Sequence, residues 1–324
     1  MPADLVAPLK KLPLPYSILS SRGSYVLQSI LAYGSGGYVF KSHDNSAIKI
    51  VPFEELSADE LFILTNIHHP NLIHAFDHGI VRLPLSVAQY YYFFALPLAP
   101  HTMQNISIKD VSFAQKIHWI QDLYCGLRFL HEHSYVHGDI HPKNVLINSR
   151  NQAQFTDFNL SYNVADYKTA TSQICTPPFC SPLSLVNNEW VKDPLQAQAI
   201  QLHCDENIKR RLHDKCDLFA FGQLMTWILF SGDSFLMGSG GIDDIDSYVC
   251  NMIQFVSDEQ QTLVTYLQQT IVKHHLHEQL LSYGMYNHST QCTVQSIVEI
   301  MYKTLRVKQH DRMSIYELDC ILSW

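Results

Sequence analysis

Between Tyr135 and Ile147 the chain reads YVHGDIHPKNVLI: two histidines, an aspartate, a proline, a lysine and an asparagine lie between apolar residues that open and close ordinary secondary structure. A single aspartate in such a loop is most often a turn former that hydrogen-bonds its own backbone. The stretch therefore takes its meaning from its surroundings. Directly downstream come VLI, a turn NSRNQ, and AQFTDFN, which carries Asp157. A strand, a tight turn and a returning strand bring Asp157 back beside Asn144. Two oxygen donors then face each other, which suits Mg2+ held together with substrate phosphates, and Asp139 sits ahead of them, free to accept a hydroxyl proton.

Upstream, residues 25–51 alternate and break like strands: SYVLQSILAY, a glycine cluster, YVFKS, a turn HDNS, and AIKIV. Gly34, Gly36 and Gly37 let backbone amides approach a phosphate closely; taken alone they read equally as a flexible hairpin tip. Val39 stands where a G-x-G-x-x-G pattern has its third glycine. Lys49, inside AIKI, sits where an inward side chain reaches a nucleotide bound under those glycines. From Pro52 to Ile67 the spacing is helical: Phe53, Leu56, Ile63 and Ile67 share a face, with Glu60 in line. A carboxylate on a buried stripe needs a partner, and Lys49 is the candidate. A rival reading starts the helix later, with Ser57 as N-cap and Glu60 closing an S-x-x-E capping box. Pro52, favoured at a first helical position, supports the longer helix.

A second strand-like pair, with AQYYYFFAL as its aromatic half, runs into PLAPHTM, a proline-rich divider. Beyond it Phe113, Ile117, Ile120, Tyr124 and Leu127 mark one face of a long helix, and most of the remaining chain is helical in pattern. The expected class is α+β in two lobes: an N-terminal extension over 1–24, a small β-rich lobe over 25–98 and a larger α-helical lobe over 99–324. Of the 324 residues 47% are apolar and only 16% charged, against an ordinary charged share of about 25%. A formal net charge of −8 supplies no basic surplus for nucleic acid or acidic lipid. The eight cysteines contain no C-x-x-C pair, which suits reduced thiols. The start of the chain lacks the continuous apolar core of a signal peptide. The run from Leu218 to Phe230 is too short to span a bilayer. The expectation is a soluble, cytoplasmic protein, in its own cell or in a host cell.

With Lys49, Glu60, Asp139, Asn144 and Asp157 in this order, the chain resembles the eukaryotic-type (Hanks-type) protein kinase family over roughly Tyr25 to Trp324. The resemblance implies ATP and Mg2+ as cofactors and a protein substrate. In it Gly34, Gly36, Gly37 and Val39 form the nucleotide-covering loop and Lys49 holds phosphates, oriented by Glu60. Asp139 is the catalytic aspartate, and Asn144 and Asp157 bind metal. TPPFCSP, Thr176 to Pro182, resembles the end of an activation loop, and Thr176 points to serine/threonine specificity. DLFAFG, Asp217 to Gly222, resembles the start of a buried helix that supports the catalytic loop. Arg312 matches a late arginine, with Ser314 and Glu317 forming a capping box. Residues 184–215 read as an insertion.

The departures are Gly138 for the arginine of H-R-D, His141 for a lysine, Asn159 for the glycine of D-F-G, and Leu183 for the glutamate of A-P-E. The last removes the usual ion-pair partner of Arg312. Gly138 cannot pair with a loop phosphate, so Thr169, Thr171 and Ser172 are not expected to act as a switch, although Lys168 or another cation could replace the arginine. HGDIHPKN also resembles the loop of small-molecule phosphotransferases, while TPPFCSP and DLFAFG favour protein kinases. A pseudokinase is the remaining alternative, supported by the short glycine loop and Asn159. HHLHE at 274–278 reads as a solvated helix face rather than a metal site, and Cys175 and Cys180 as packing cysteines.

Overall fold

The computed structural model describes residues 6–34, 36–85, 90–165, 179, 181–182, 186, 191–204, 213–233, 235–237, 245–273, 275, 278–279 and 294–322. Six antiparallel strands form the first part: β1 (Tyr16–Ser20), β2 (Gly23–Gly34), β3 (Gly37–Ser42), β4 (Ser46–Pro52), β5 (Asp77–Arg82) and β6 (Tyr90–Pro97), in the order β1-β2-β3-β4-β6-β5. The neighbouring inner strands β4 and β6, SAIKIVP and YYYFFALP, are buried on both faces, as strands covered on both sides are. Their alternate residues enter two separate cores. Ile48, Ile50, Tyr91, Phe93 and Ala95 pack on one side with Leu9, Leu12, Ile18 and Leu27. Ala47, Val51, Tyr92, Phe94 and Leu96 pack on the other, into the core that continues through the rest of the molecule. A side-chain period of two thus puts Lys49 on the second side, towards the helix after the strand.

Within 1–24, expected to be an N-terminal extension, residues 16–20 add an edge strand to the sheet: β1 pairs with β2 from Tyr16↔Leu27 to Ser20↔Gly23. The helix after β4 also departs from expectation. Pro52 ends the strand, Phe53–Glu55 form a single 3-10 turn, and Phe53 is exposed. Helix α1 (Ala58–Asn66) starts only after Ser57, whose hydroxyl accepts the Glu60 amide at 3.4 Å. Local capping at Ser57 outweighs the preference of proline for a first turn, because the strand's ladder already claims Pro52.

The second part is built on helix α2 (Phe113–Glu132), capped by Ser112, with Ile117, Ile120, Tyr124 and Leu127 buried as the spacing predicts. Short strands β7 (His101–Thr102), β9 (Val145–Ile147) and β10 (Ala153–Phe155) form one ladder, and β8 (Tyr135–Val136) pairs with β11 (Tyr162–Asn163). Helix α3 (Pro194–His203) lies within 184–215; Val191, Ile200 and Cys204 of that segment join the core. Helix α4 (His213–Leu229) is buried along most of its length, with Leu218, Phe219, Leu224 and Ile228 inside. Helices α5 (Ile245–Ser257), α6 (Glu259–Lys273), α7 (Val294–Thr304) and α8 (Ile315–Leu322) complete the described part of this lobe. Among the described residues no helix is long and apolar enough to cross a membrane.

Candidate active site

The site lies where the sheet meets α2 and its loops. Lys49 Nζ is 2.5 Å from Glu60 Oε1 and 2.7 Å from Asp157 Oδ1, with Lys49 7% and Glu60 1% exposed. The Glu60 side chain does not turn back to the Ser57 amide to close a capping box; it crosses to Lys49 instead. Burial alone would lower the Lys49 pKa, but Asp157 and Glu60 together carry it above the ordinary lysine value, so the side chain stays cationic. A buried ammonium flanked by two carboxylates is positioned to exchange one of them for an incoming anion.

The loop from His137 to Asn144 presents the second cluster. The Asp139 carboxylate accepts from Asn144 Nδ2 at 2.9 Å and from His141 Nε2 at 3.2 Å. His141 Nδ1 accepts the Lys143 amide, which fixes the proton on Nε2 and makes the ring a donor to Asp139. The His137 ring packs 5.2 Å from both Phe155 and Phe158, and its Nδ1 accepts the Asp139 amide at 3.3 Å. Burial lowers its pKa, so it stays neutral as a prop for the loop. From α4, Asp217 accepts the amides of His137 and Gly138 at 2.8 and 3.0 Å and the His131 ring at 2.9 Å. The loop is thus suspended from one buried carboxylate on the helix below it.

The antiparallel pair β9–β10 returns the chain as expected, and Thr156 donates its amide to the Asn144 carbonyl at 3.0 Å. Asn144 and Asp157 therefore flank one ladder end. Both hydrogen bonds of the Asn144 side chain leave from its nitrogen, to the Asp139 backbone and carboxylate, so its oxygen is available to a cation. Asp157 gives one oxygen to Lys49 and has a half-exposed side chain. A neutral and an anionic oxygen flanking one ladder end are donors that fit Mg2+ shared with phosphates.

Above them, Gly34 and Gly37 pair at the tip of the β2–β3 hairpin. Gly37 has φ 118°, and a Cβ there would lie 2.3 Å from the Ile50 carbonyl, so no other residue fits. Gly34 has open space around it, while Gly36 faces Asn159. Val39, opposite Lys49 in the ladder, packs against the main core.

Gly138 is more than a missing side chain: it adopts φ 82°, and a Cβ would lie 2.6 Å from the Leu160 carbonyl. Arg312, without a carboxylate at 183, is 2% exposed and donates to the carbonyls of Arg306, Lys215 and Val307 at 2.7–2.9 Å, with its guanidinium 4.9 Å from the Phe219 ring centre. Backbone oxygens thus supply the partners that the family's usual ion pair would, a substitute the sequence alone does not name. His131, a further partner of Asp217, was missed by sequence reasoning, since no local pattern marks it. Lys168, Thr169, Thr171, Ser172, Cys175, Thr176, Cys180, Leu183, His274 and His277 lie outside the described residues. His275 and Glu278 form an exposed pair at 3.7 Å, and among the described residues no group of three or more His, Cys, Asp or Glu could hold a metal ion.

Comparison with known proteins matches residues 25–320 to the family model described as "Protein kinase domain". The chain is 24% identical over 175 residues to a CTD kinase subunit alpha of Saccharomyces cerevisiae, covering 50% of this chain and 33% of that protein. It is 21% identical over 196 residues to an SNF1-like protein kinase of Schizosaccharomyces pombe, covering 56% and 33%. It is 32% identical over 161 residues to a dual specificity protein kinase of Dictyostelium discoideum, covering 45% and 11%. These alignments span a third or less of each relative.

Proposed function

The chain belongs to the protein kinase family, and from that premise we propose that it transfers the γ-phosphate of ATP to serine and threonine hydroxyls of protein substrates. The observation that carries the reading is the shared placement of Lys49 between Glu60 and Asp157. It is the arrangement a phosphate-holding lysine needs: charged, buried and already oriented. Lys49 binds the nucleotide's phosphates, Glu60 keeps it aimed, and the Gly34–Gly37 hairpin tip covers them. Asn144 and Asp157 would hold Mg2+, which when bound neutralises phosphate charge. Asp139, oriented by Asn144 and His141, positions the acceptor hydroxyl and takes its proton. Thr176 supports serine/threonine specificity, as do relatives named as serine/threonine-protein kinases, although another is named as dual specificity. The eight cysteines, with no C-x-x-C pair, suit a reducing, cytoplasmic setting.

The deciding experiment is transfer of radiolabel from ATP to the protein itself or to a generic protein substrate in Mg2+. Asp139→Asn should lower the rate on the order of 10²–10⁴-fold by removing the base. Transfer by wild type no greater than by this variant would sink the catalytic reading and leave a pseudokinase.

A further inference from the structure

Asn159 occupies the glycine position of D-F-G, two residues beyond Asp157. Its side chain lies directly under the glycine hairpin: a Cβ built on Gly36 would meet Asn159 Nδ2 at 2.8 Å and Cγ at 3.3 Å. The carboxamide is otherwise unsupported. Its Oδ1 is buried without a hydrogen-bond partner, and no hydrogen bond joins its Nδ2 to a described residue. The side chain is partly buried, and its nitrogen, unlike its oxygen, is not among the buried unpaired atoms, so this donor is open to a ligand two residues from Asp157.

The position along the hairpin indicates which part of a ligand it meets. Lys49 lies opposite Val39, towards the root, whereas Gly36 is at the tip. A triphosphate running from root to tip places its last phosphate nearest Gly36 and Asn159. We propose that Asn159 is a nucleotide-binding residue whose Nδ2 donates to the terminal phosphate of a nucleoside triphosphate. The inference rests on the ATP reading above. It also reverses the sense of this departure: Asn159 adds a phosphate donor to the cleft, and Gly36 must be small to admit it.

The test is calorimetric titration of the full chain with a non-hydrolysable ATP analogue and with ADP, each with Mg2+. Wild type is compared with Asn159→Ala, Asn159→Gly and Asn159→Asp, with melting temperatures to verify folding. Loss of one hydrogen bond to a charged group should weaken the ATP analogue about tenfold in Asn159→Ala and Asn159→Gly. ADP binding should change less than about twofold, because ADP lacks the phosphate concerned. Asn159→Asp, which sets like charge against the phosphate, should lose more of the ATP analogue's affinity than Asn159→Ala does. Variants that bind both nucleotides as wild type does, or weaken both equally, overturn the assignment while leaving the kinase reading intact. Wild type that binds neither nucleotide overturns both.

Discussion

Glu60 serves two neighbours from one position. Its amide donates to the Ser57 hydroxyl and starts α1, while its carboxylate leaves the helix to reach Lys49. The two roles separate experimentally. Ser57→Ala should cost about 1 kcal/mol of stability by removing the cap, with turnover unchanged. Glu60→Gln should lower turnover because Lys49 loses its orientation. Chemical denaturation and steady-state kinetics on both variants check this; unchanged turnover in Glu60→Gln would reduce Glu60 to a structural part. Lys49→Met should abolish transfer and also lower the melting temperature, because it strands the buried Glu60 carboxylate. A lysine substitution made to stop catalysis here should therefore also weaken the fold.

At the scale of elements, two S-x-x-E signatures in one chain end differently. Ser314 and Glu317 close a reciprocal box at the start of α8, with the Ser314 amide 2.5 Å from Glu317 Oε2 and the Glu317 amide 3.3 Å from Ser314 Oγ. Ser57 and Glu60 make only half of one, because Lys49 on a neighbouring strand competes for the carboxylate. The local pattern was legible in both; the competitor, eleven residues away in sequence, was visible only as a chemical need. The β9–β10 return and the stripe of α2 were readable because periodicity encodes them directly. The replacement of the Arg312 ion pair by backbone carbonyls was not, since carbonyls carry no sequence signal. Gly138 gives the element-scale prediction. Its positive φ and its closeness to the Leu160 carbonyl leave no room for an arginine to gather a loop phosphate. Changing Thr169, Thr171 and Ser172 together to Ala should therefore leave turnover within a few-fold of wild type. Loss of most activity in that variant and in phosphatase-treated wild type would reveal a phosphate switch after all.

At the scale of the whole molecule, Asp77 fastens three strands. It lies on β5 and accepts from Ser20 of β1, from the Tyr25 hydroxyl of β2 at 2.8 Å and from the His78 amide at 2.9 Å. Burial pushes its pKa up, but these bonds outweigh burial and hold it below the ordinary aspartate value. A carboxyl lowered in the folded state adds stability that is complete above its unfolded pKa and is lost as pH falls through the folded one. Asp77→Ala should cost about 1–3 kcal/mol near neutrality by leaving the Tyr25 hydroxyl unpaired. It should also remove part of the acid-side decline seen below about pH 4 in denaturant titrations. An acid limb of unchanged slope in the variant would mean that other carboxyls set it.

The strand β1 carries a lesson for whoever trims this protein. The family match begins at residue 25, but Leu9, Leu12 and Ile18 before it are buried under the sheet. Each such side chain contributes about 1.5–3 kcal/mol when buried, so cutting at the match would forfeit a large share of a marginal stability. It would also bare the start of β2, which β1 pairs only as far as Leu27, as an open edge, a ready template for pairing with other copies. A fragment starting at Tyr25 should precipitate or melt well below the full chain in light scattering and thermal scans, which makes the boundary of the homology and the boundary of the folding unit two different places.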